Sequence, residues 1–346
     1  MAPYGFSLIP GSRGSAGVRP RPGAGLALRP LRRLAHAAVL LVVLSSLSFL
    51  LLDLAPGDYL DAVRLAGETS PSTREALRSR YGLDRSLPER YGHWIASVAR
   101  GDWGYSFAYG VPVRPLLWER GLNTLLLTAS ATLLSWLIAV PLGVGWALLG
   151  RGWASELCRL ATSLLLSIPE VLLALVFLFL AAETGAFPIG GMSSLHLPEP
   201  SGWSGLQDLA RHMFLPVAVL VLSRIGGLVR HVRETVGEAL RLPAVRLMYA
   251  SGVPTPRILL RDVLPLAANP LITLLGLSLA GLLSGSLIVE VVMGWPGLGP
   301  LLLEAILARD VNVVIGATMG SAVLLLCAGA IADLLLHAAD PRIAPA

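Results

Sequence analysis

Residues 122–150 read LNTLLLTASATLLSWLIAVPLGVGWALLG, 29 residues without a charged side chain. A helix rising 1.5 Å per residue needs about 20 residues to cross the roughly 30 Å hydrocarbon core of a bilayer. The stretch therefore predicts a membrane-crossing helix over about 121–149, and Pro141 with its neighbouring glycines predicts a kink or a close helix contact inside it. Outward from this segment the pattern repeats. Leu34 to Leu52 carries one His and three Ser but no formal charge. Further apolar runs predict helices over 160–182, with Pro169 and Glu170 inside, and over 212–230, 266–292 and 312–337. The predicted fold class is an all-α polytopic membrane protein with six transmembrane helices.

Composition agrees. Mean hydropathy is +0.69, 54% of residues are hydrophobic and 14% are charged, against about 25% charged in a soluble domain. All 27 basic residues are Arg. Without Lys the chain can build neither a P-loop nor a Schiff base, so any ATP hydrolysis belongs to another chain. Cys158 and Cys327 form no CxxC, and the six His residues show no HxH or HxxxH spacing. Neither a disulfide framework nor a metal site is expected.

Arginine placement predicts orientation. Loops 151–159 and 231–265 together carry seven Arg, whereas 183–211 and 293–311 carry one each. By the positive-inside rule both termini face the cytoplasm. Residues 1–33, rich in Gly, Pro and Arg and free of acids, read as a disordered basic cytoplasmic tail. Arg32-Arg33 precedes an apolar run of about 19 residues, too long for a signal h-region and followed by no A-x-A site. Segment 34–54 is thus read as an uncleaved first helix, and 339–346 as a cytoplasmic tail. The insert 55–120 carries nine Arg and eight acids and is placed outside as an extracytoplasmic cap. It includes a turn at Pro56-Gly57-Asp58, a short helix over Ser72–Tyr81 and an amphipathic helix over Arg90–Ala99. The core transmembrane domain is 121–338.

Loop 231–265 carries the most pattern. Pro243 to Ser251 reads as a short helix ended by Gly252. Thr255-Pro256 supplies an N-cap and an N1 proline for a second helix running to Leu264, with Pro265 marking entry to the helix over 266–292. Such an elbow presents a rigid knob to a partner. In the helix over 266–292, Gly281 and Gly285 with Ser284 and Ser286 form a small-residue stripe of the helix-packing kind. Glu290 lies at its outer end, where it can cap the following loop or line a path.

Permeases of bacterial ABC importers carry a coupling signature EAA-x3-G-x9-I-x-L-P, and Gly252 with Leu264-Pro265 fits its spacing; Arg246, Leu247 and Met248 replace EAA. The dipeptide/oligopeptide/nickel group has a variant close to YVRTARAKGL, which Val245-Arg246 and Ala250-Ser251-Gly252-Val253 resemble, with Ser251 at the Lys position. Further resemblance to that group runs along the chain: Pro56-Gly57-Asp58, Tyr81-Gly82-Leu83-Asp84 with Pro88, Tyr91 and Trp94, Gly101-Asp102-Trp103-Gly104-Tyr105-Ser106, Asn123-Thr124-Leu125, Ser167-Ile168-Pro169, Val289-Glu290 through Trp295-Pro296-Gly297-Leu298-Gly299, and Ala332-Asp333-Leu334-Leu335 with Asp340-Pro341-Arg342.

The resemblance implies a type I ABC importer-like transmembrane domain in the bacterial inner membrane, moving a small solute, with peptides as the expected class, by alternating access. It implies two cytoplasmic ABC ATPase subunits that bind the ATP and Mg, a second homologous permease subunit forming a heterodimer, an extracytoplasmic substrate-binding protein, and no cofactor, catalytic residue or nucleic acid for this chain. Val245, Arg246, Tyr249, Ala250 and Gly252 become the ATPase-coupling residues, and Gly281, Ser284, Gly285, Ser286 and Glu290 the residues of the pathway or the permease interface. Two other classes stay open on the residues alone: a secondary transporter or channel, and a transport-inactive relative acting as a scaffold.

Overall fold

A computed structural model describes residues 25–54, 86–150, 152–194 and 202–339. The expected turn at Pro56, the helix over Ser72–Tyr81 and the tail 340–346 lie outside the described residues. Among the described residues ten helices follow in order: α1 (Gly25–Leu54), α2 (Leu87–Ala99), α3 (Val113–Leu148), α4 (Trp153–Ser167), α5 (Glu170–Thr184), α6 (Trp203–Leu240), α7 (Pro243–Ala250), α8 (Thr255–Val292), α9 (Leu298–Leu307) and α10 (Val311–Ala339). The chain divides into two units, Met1–Val42 and Val43–Ala346. The first contributes the start of α1; all packing described below lies within the second. Among the described residues, five helices are long and apolar enough to cross a membrane, and six spans result when α4 and α5 count as one.

Several elements depart from the sequence expectation. Within α1 the apolar span is Leu34–Leu54, but the helix starts at Gly25, inside the segment expected to be disordered. The expected single helix over 160–182 is broken: α4 and α5 meet at an 89° bend. Pro169 cannot donate a backbone hydrogen bond and drives Ile168 to extended backbone (ψ 118°), which ends α4. Helix α3 starts at Val113, taking the last residues of the expected cap, and α6 runs to Leu240, taking the first part of the expected loop. Both ends carry charged residues, Arg114, Glu119 and Arg120 in α3 and Arg233, Glu234 and Glu238 in α6, so the apolar runs do not include them. At 36 residues α3 is about 54 Å long. Segment 293–311, expected as a loop, contains α9.

Helix α6 is the centre of the bundle. Of its apolar window 61% is buried, against 33% or less for the other long spans. Its most extensive partner is α3. Their contact is close because Gly143 lies under α6: a Cβ there would sit 2.6 Å from the Val232 side chain and 2.9 Å from the Val229 carbonyl. Two buried threonines of α3 are satisfied within the helix. Buried Thr128 Oγ1 donates to the Thr124 carbonyl (2.8 Å) and Thr132 Oγ1 to the Thr128 carbonyl (2.7 Å), so neither hydroxyl is left bare among apolar groups. Large apolar side chains such as Leu133 and Leu137 remain exposed on α3, as expected of a surface that meets lipid or another membrane subunit rather than water.

Gly143→Val should overpack the α3–α6 contact and cost about 1–3 kcal/mol, visible as a lowered melting temperature in detergent. Gly145→Ala, with no atom within 4 Å of the added methyl, should leave it unchanged or slightly raised.

Candidate functional site

The elbow forms at the arginine-rich end of the bundle. Helix α7 begins at Pro243 and ends in the cap that Gly252 permits. With φ +78°, Gly252 donates its N–H to the Tyr249 carbonyl (3.0 Å) and Val253 donates to the Met248 carbonyl (3.1 Å). This paired pattern closes the last turn, and an L-residue at the glycine would be strained by about 1 kcal/mol. Helix α8 starts at Thr255, so Thr255 and Pro256 are its first two residues rather than cap and N1. The expected joint at Leu264-Pro265 is absent. Instead Leu259–Val263 forms a π turn, with the Leu264 N–H donating to the Leu259 carbonyl. The wider turn accommodates Pro265, which has no N–H to give, and the rod continues to Val292.

Of the five residues assigned to coupling, Val245 turns inward and is 1% exposed. It packs with Ile258, Val263, Ala267 and Leu271 of α8 and with Val232, Val236 and Ala239 of α6, while Val140 and Val144 of α3 lie against the same cluster. Val245 is thus an anchor within this chain's own core. Arg246, Tyr249, Ala250 and Gly252 are exposed. Leu247, which pattern reading left among the eroded EAA positions, is 67% exposed at the tip. The knob is therefore apolar at Leu247 and Tyr249 and basic at Arg246, mounted on three long helices.

At the opposite end two buried carboxylates act as latches. Glu290 is fully enclosed. Its Oε2 accepts the Gly299 N–H (2.8 Å) at the start of α9, where a carboxylate also meets the positive helix end. Beside it Thr124 Oγ1 accepts the Leu298 N–H (2.9 Å), Asn123 Nδ2 donates to the Pro296 carbonyl (2.8 Å) and Trp295 Nε1 to the Asn123 carbonyl (3.1 Å). The Trp295–Gly299 loop is thereby fixed to α3. Its glycines are spatial necessities: a Cβ at Gly297 would lie 2.4 Å from Glu290 Oε2, and one at Gly299 2.3 Å from the Leu287 carbonyl. The second latch is Asp310, also fully buried. It accepts Ser106 Oγ (2.7 Å), the Ala108 N–H (3.1 Å) and the Val313 N–H (3.3 Å), tying the loop after α2 to the start of α10. Tyr109 adds a hydrogen bond from its hydroxyl to Glu304. Burial and then the Glu304 carboxylate push the Tyr109 phenol well above its ordinary range.

The five residues assigned to a pathway or interface separate. Ser286 and Glu290 are enclosed by this chain's own helices and line no surface of it. Ser284 is exposed, and Gly281 and Gly285 are partly so. Over these two glycines lie Arg224 of α6 and Glu170 of α5. Arg224 Nη2 donates to the Gly281 carbonyl (3.0 Å). Arg224 escaped the sequence reading, although an Arg within the apolar run 212–230 was the available signal. Among the described residues no group of three or more His, Cys, Asp or Glu is placed to hold a metal.

With this architecture in place, comparison with known proteins decides the family. The profile for binding-protein-dependent transport system inner membrane components matches residues 139–345, and the N-terminal profile of such membrane components matches residues 28–127. The chain belongs to this family of ABC importer permease subunits. The oligopeptide transport system permease protein AppB of Bacillus subtilis (strain 168) is 31% identical over 315 residues, covering 90% of this chain and 98% of that relative. The nickel import system permease protein NikB of Staphylococcus aureus (strain USA300) is 29% identical over 314 residues, covering 90% of each. A chain of the inward-facing MetNI methionine ABC transporter matches with a TM-score of 0.50 at 16% identity, over 65% of this chain and 96% of that one. The likeness to it concerns the fold.

Asp310→Ala should leave the Ser106 and Ala108 donors bare and cost about 1–3 kcal/mol, with faster proteolysis of the 101–112 loop. Glu290→Gln, which keeps an acceptor for Gly299, should be tolerated far better than Glu290→Leu when melting temperatures are compared.

Proposed function

We propose that the chain is one of two homologous membrane subunits of an ATP-driven importer for short peptides, working by alternating access. The observation that carries this reading is the elbow: an exposed Arg246–Leu247–Tyr249 knob whose root, Val245, is buried against α6 and α8. A knob so mounted converts a push from outside the membrane into tilting of three spans at once. Two ABC ATPase subunits bind ATP and Mg and supply that push. A second permease, most simply a heterodimeric partner, covers the remaining apolar faces. In the proposed orientation the elbow and both termini face the cytoplasm. The latched loops and α2 face the other side, where a substrate-binding protein delivers the solute. No covalent step falls to this chain. Peptides are favoured over nickel because AppB, named for oligopeptides, resembles the chain somewhat more than NikB does.

The test is uptake by proteoliposomes containing the chain, its second permease and the ATPase subunits, with binding protein and labelled tripeptide outside. Uptake should require ATP on the face that bears α7. Uptake driven by an ion gradient without ATP would overturn the reading, and full assembly without any uptake would point to a scaffold. Leu247→Asp, a surface change that should alter folding stability by less than about 0.5 kcal/mol, should release the ATPase subunits on purification and reduce uptake about tenfold or more.

A further inference from the structure

The permease reading leaves Arg224 and Glu170 without a task. They come from different elements and are far apart in sequence, yet they converge on one turn of α8. Arg224 is near the middle of α6, and its guanidinium donates to the Gly281 carbonyl (3.0 Å). Glu170 is the first residue of α5, at the 89° break after α4. A Cβ at Gly285 would lie 2.8 Å from Arg224 Nη2, 3.2 Å from Glu170 Oε2 and 3.4 Å from its Oε1, and one at Gly281 would lie 3.4 Å from Arg224 Nη1. Both charged groups thus rest over a shelf from which no side chain projects. The shelf lies between Gly281 and Gly285, about 10–17 Å along α8 from its end at Val292, within hydrocarbon depth.

Three observations point to a hydrophilic ligand here. First, a charge at that depth is costly against lipid, so the groups must meet protein or water. Second, the satisfaction is incomplete: Glu170 Oε1 is buried and accepts no hydrogen bond within the protein. The pair also does not close into a contact ion pair, since none joins these two side chains among the described residues. Third, the shelf opens outward. Ser284 is exposed beside it, and Gly281 and Gly285 are partly exposed.

Resting on the permease reading above, we propose that Arg224, Glu170 and the Gly281–Gly285 shelf form a station in the translocation path for zwitterionic solutes of the amino-acid or short-peptide class. Arg224 receives the carboxylate and the Glu170 carboxylate the ammonium group. The glycines leave room for the Arg224 guanidinium and the Glu170 carboxylate to lie against α8. The broken span exists, in this account, to bring Glu170 to the station: an unbroken helix through Pro169 would not start a new turn there. Arg224 is fixed by its Gly281 bond, so it recognises a carboxylate without collapsing onto Glu170.

The test uses the full reconstituted complex and three probes: trialanine, its C-terminal amide and its N-acetyl derivative. Affinity of the binding protein for each is measured separately, and uptake is read at saturating binding protein. Arg224→Gln should lower uptake of trialanine about tenfold or more, the loss expected of one charge-assisted hydrogen bond, while uptake of the amide stays within about twofold of its wild-type rate. Glu170→Gln should spare the N-acetyl peptide in the same way. If Arg224→Gln fails to assemble, Gly285→Ala displaces the guanidinium and permits the same comparison. Equal loss for all three probes, or full recovery in the Arg224→Gln/Glu170→Gln double variant, would overturn the station and leave a packing pair. Loss of the second permease on purification of Arg224→Gln would overturn it in favour of a subunit contact. Wild-type complex that takes up none of the probes under ATP would overturn the peptide reading together with the station, whereas normal wild-type uptake with no discrimination overturns the station alone.

Discussion

The apolar joint at the arginine-rich end is the constraint on which the rest depends. Val245 from α7, Ile258 and Val263 from α8, and Val232 and Val236 from α6 are all essentially without exposure. Burying each is worth about 1.5–3 kcal/mol. Together they make α7 part of the bundle rather than an appendage of it. The π turn at Leu259–Val263 serves the same end, since it carries α8 past Pro265 without a joint. A force on Leu247 therefore reaches α3, α6 and α8 as rigid elements. Without this joint the exposed knob would be a loop that yields where it is pushed.

The opposite end is organised by polar rather than apolar means, for a physical reason. Its connections leave the hydrocarbon and expose backbone groups that must be satisfied. Two enclosed carboxylates meet this need. Glu290 holds the first turn of α9, and Asp310 holds the loop after α2 together with the start of α10. Glu290 accepts one backbone N–H and Asp310 two, groups that would otherwise be bare. The bundle is thus fixed at both ends by different chemistry. Among the described residues of its middle, the charged side chains of Arg224 and Glu170 lie against Gly281 and Gly285 of α8.

Much of this was legible in the sequence. The apolar runs located the spans because an uncharged run of that length has few other uses, and Gly252 marked the elbow because only glycine adopts its backbone conformation cheaply. Glu290 was legible as a loop cap from the Gly/Pro-rich stretch that follows it. Four things were not. Helix ends beyond the hydrocarbon carry no hydropathy signal, so α3 and α6 were read short. The break at Pro169 was read through as one helix over 160–182, because apolar residues on both sides give no sign that the chain turns by 89°. The small-residue stripe at Gly281 and Gly285 looked like helix packing, since its real occupants, Arg224 and Glu170, come from segments whose spatial adjacency no local pattern states. The inward aim of Val245 within a motif of otherwise exposed residues was hidden for the same reason.

The central claim is that the buried root of α7 transmits ATPase motion to the spans. It is tested most directly by the number of solute molecules taken up per ATP hydrolysed in the Val245→Ala/Ile258→Ala double variant, reconstituted with all partner subunits. These truncations loosen the joint and leave every exposed knob residue in place. The account predicts that the ATPase subunits remain bound and hydrolyse ATP while uptake per ATP falls several-fold. An unchanged ratio in a fully assembled complex would contradict it.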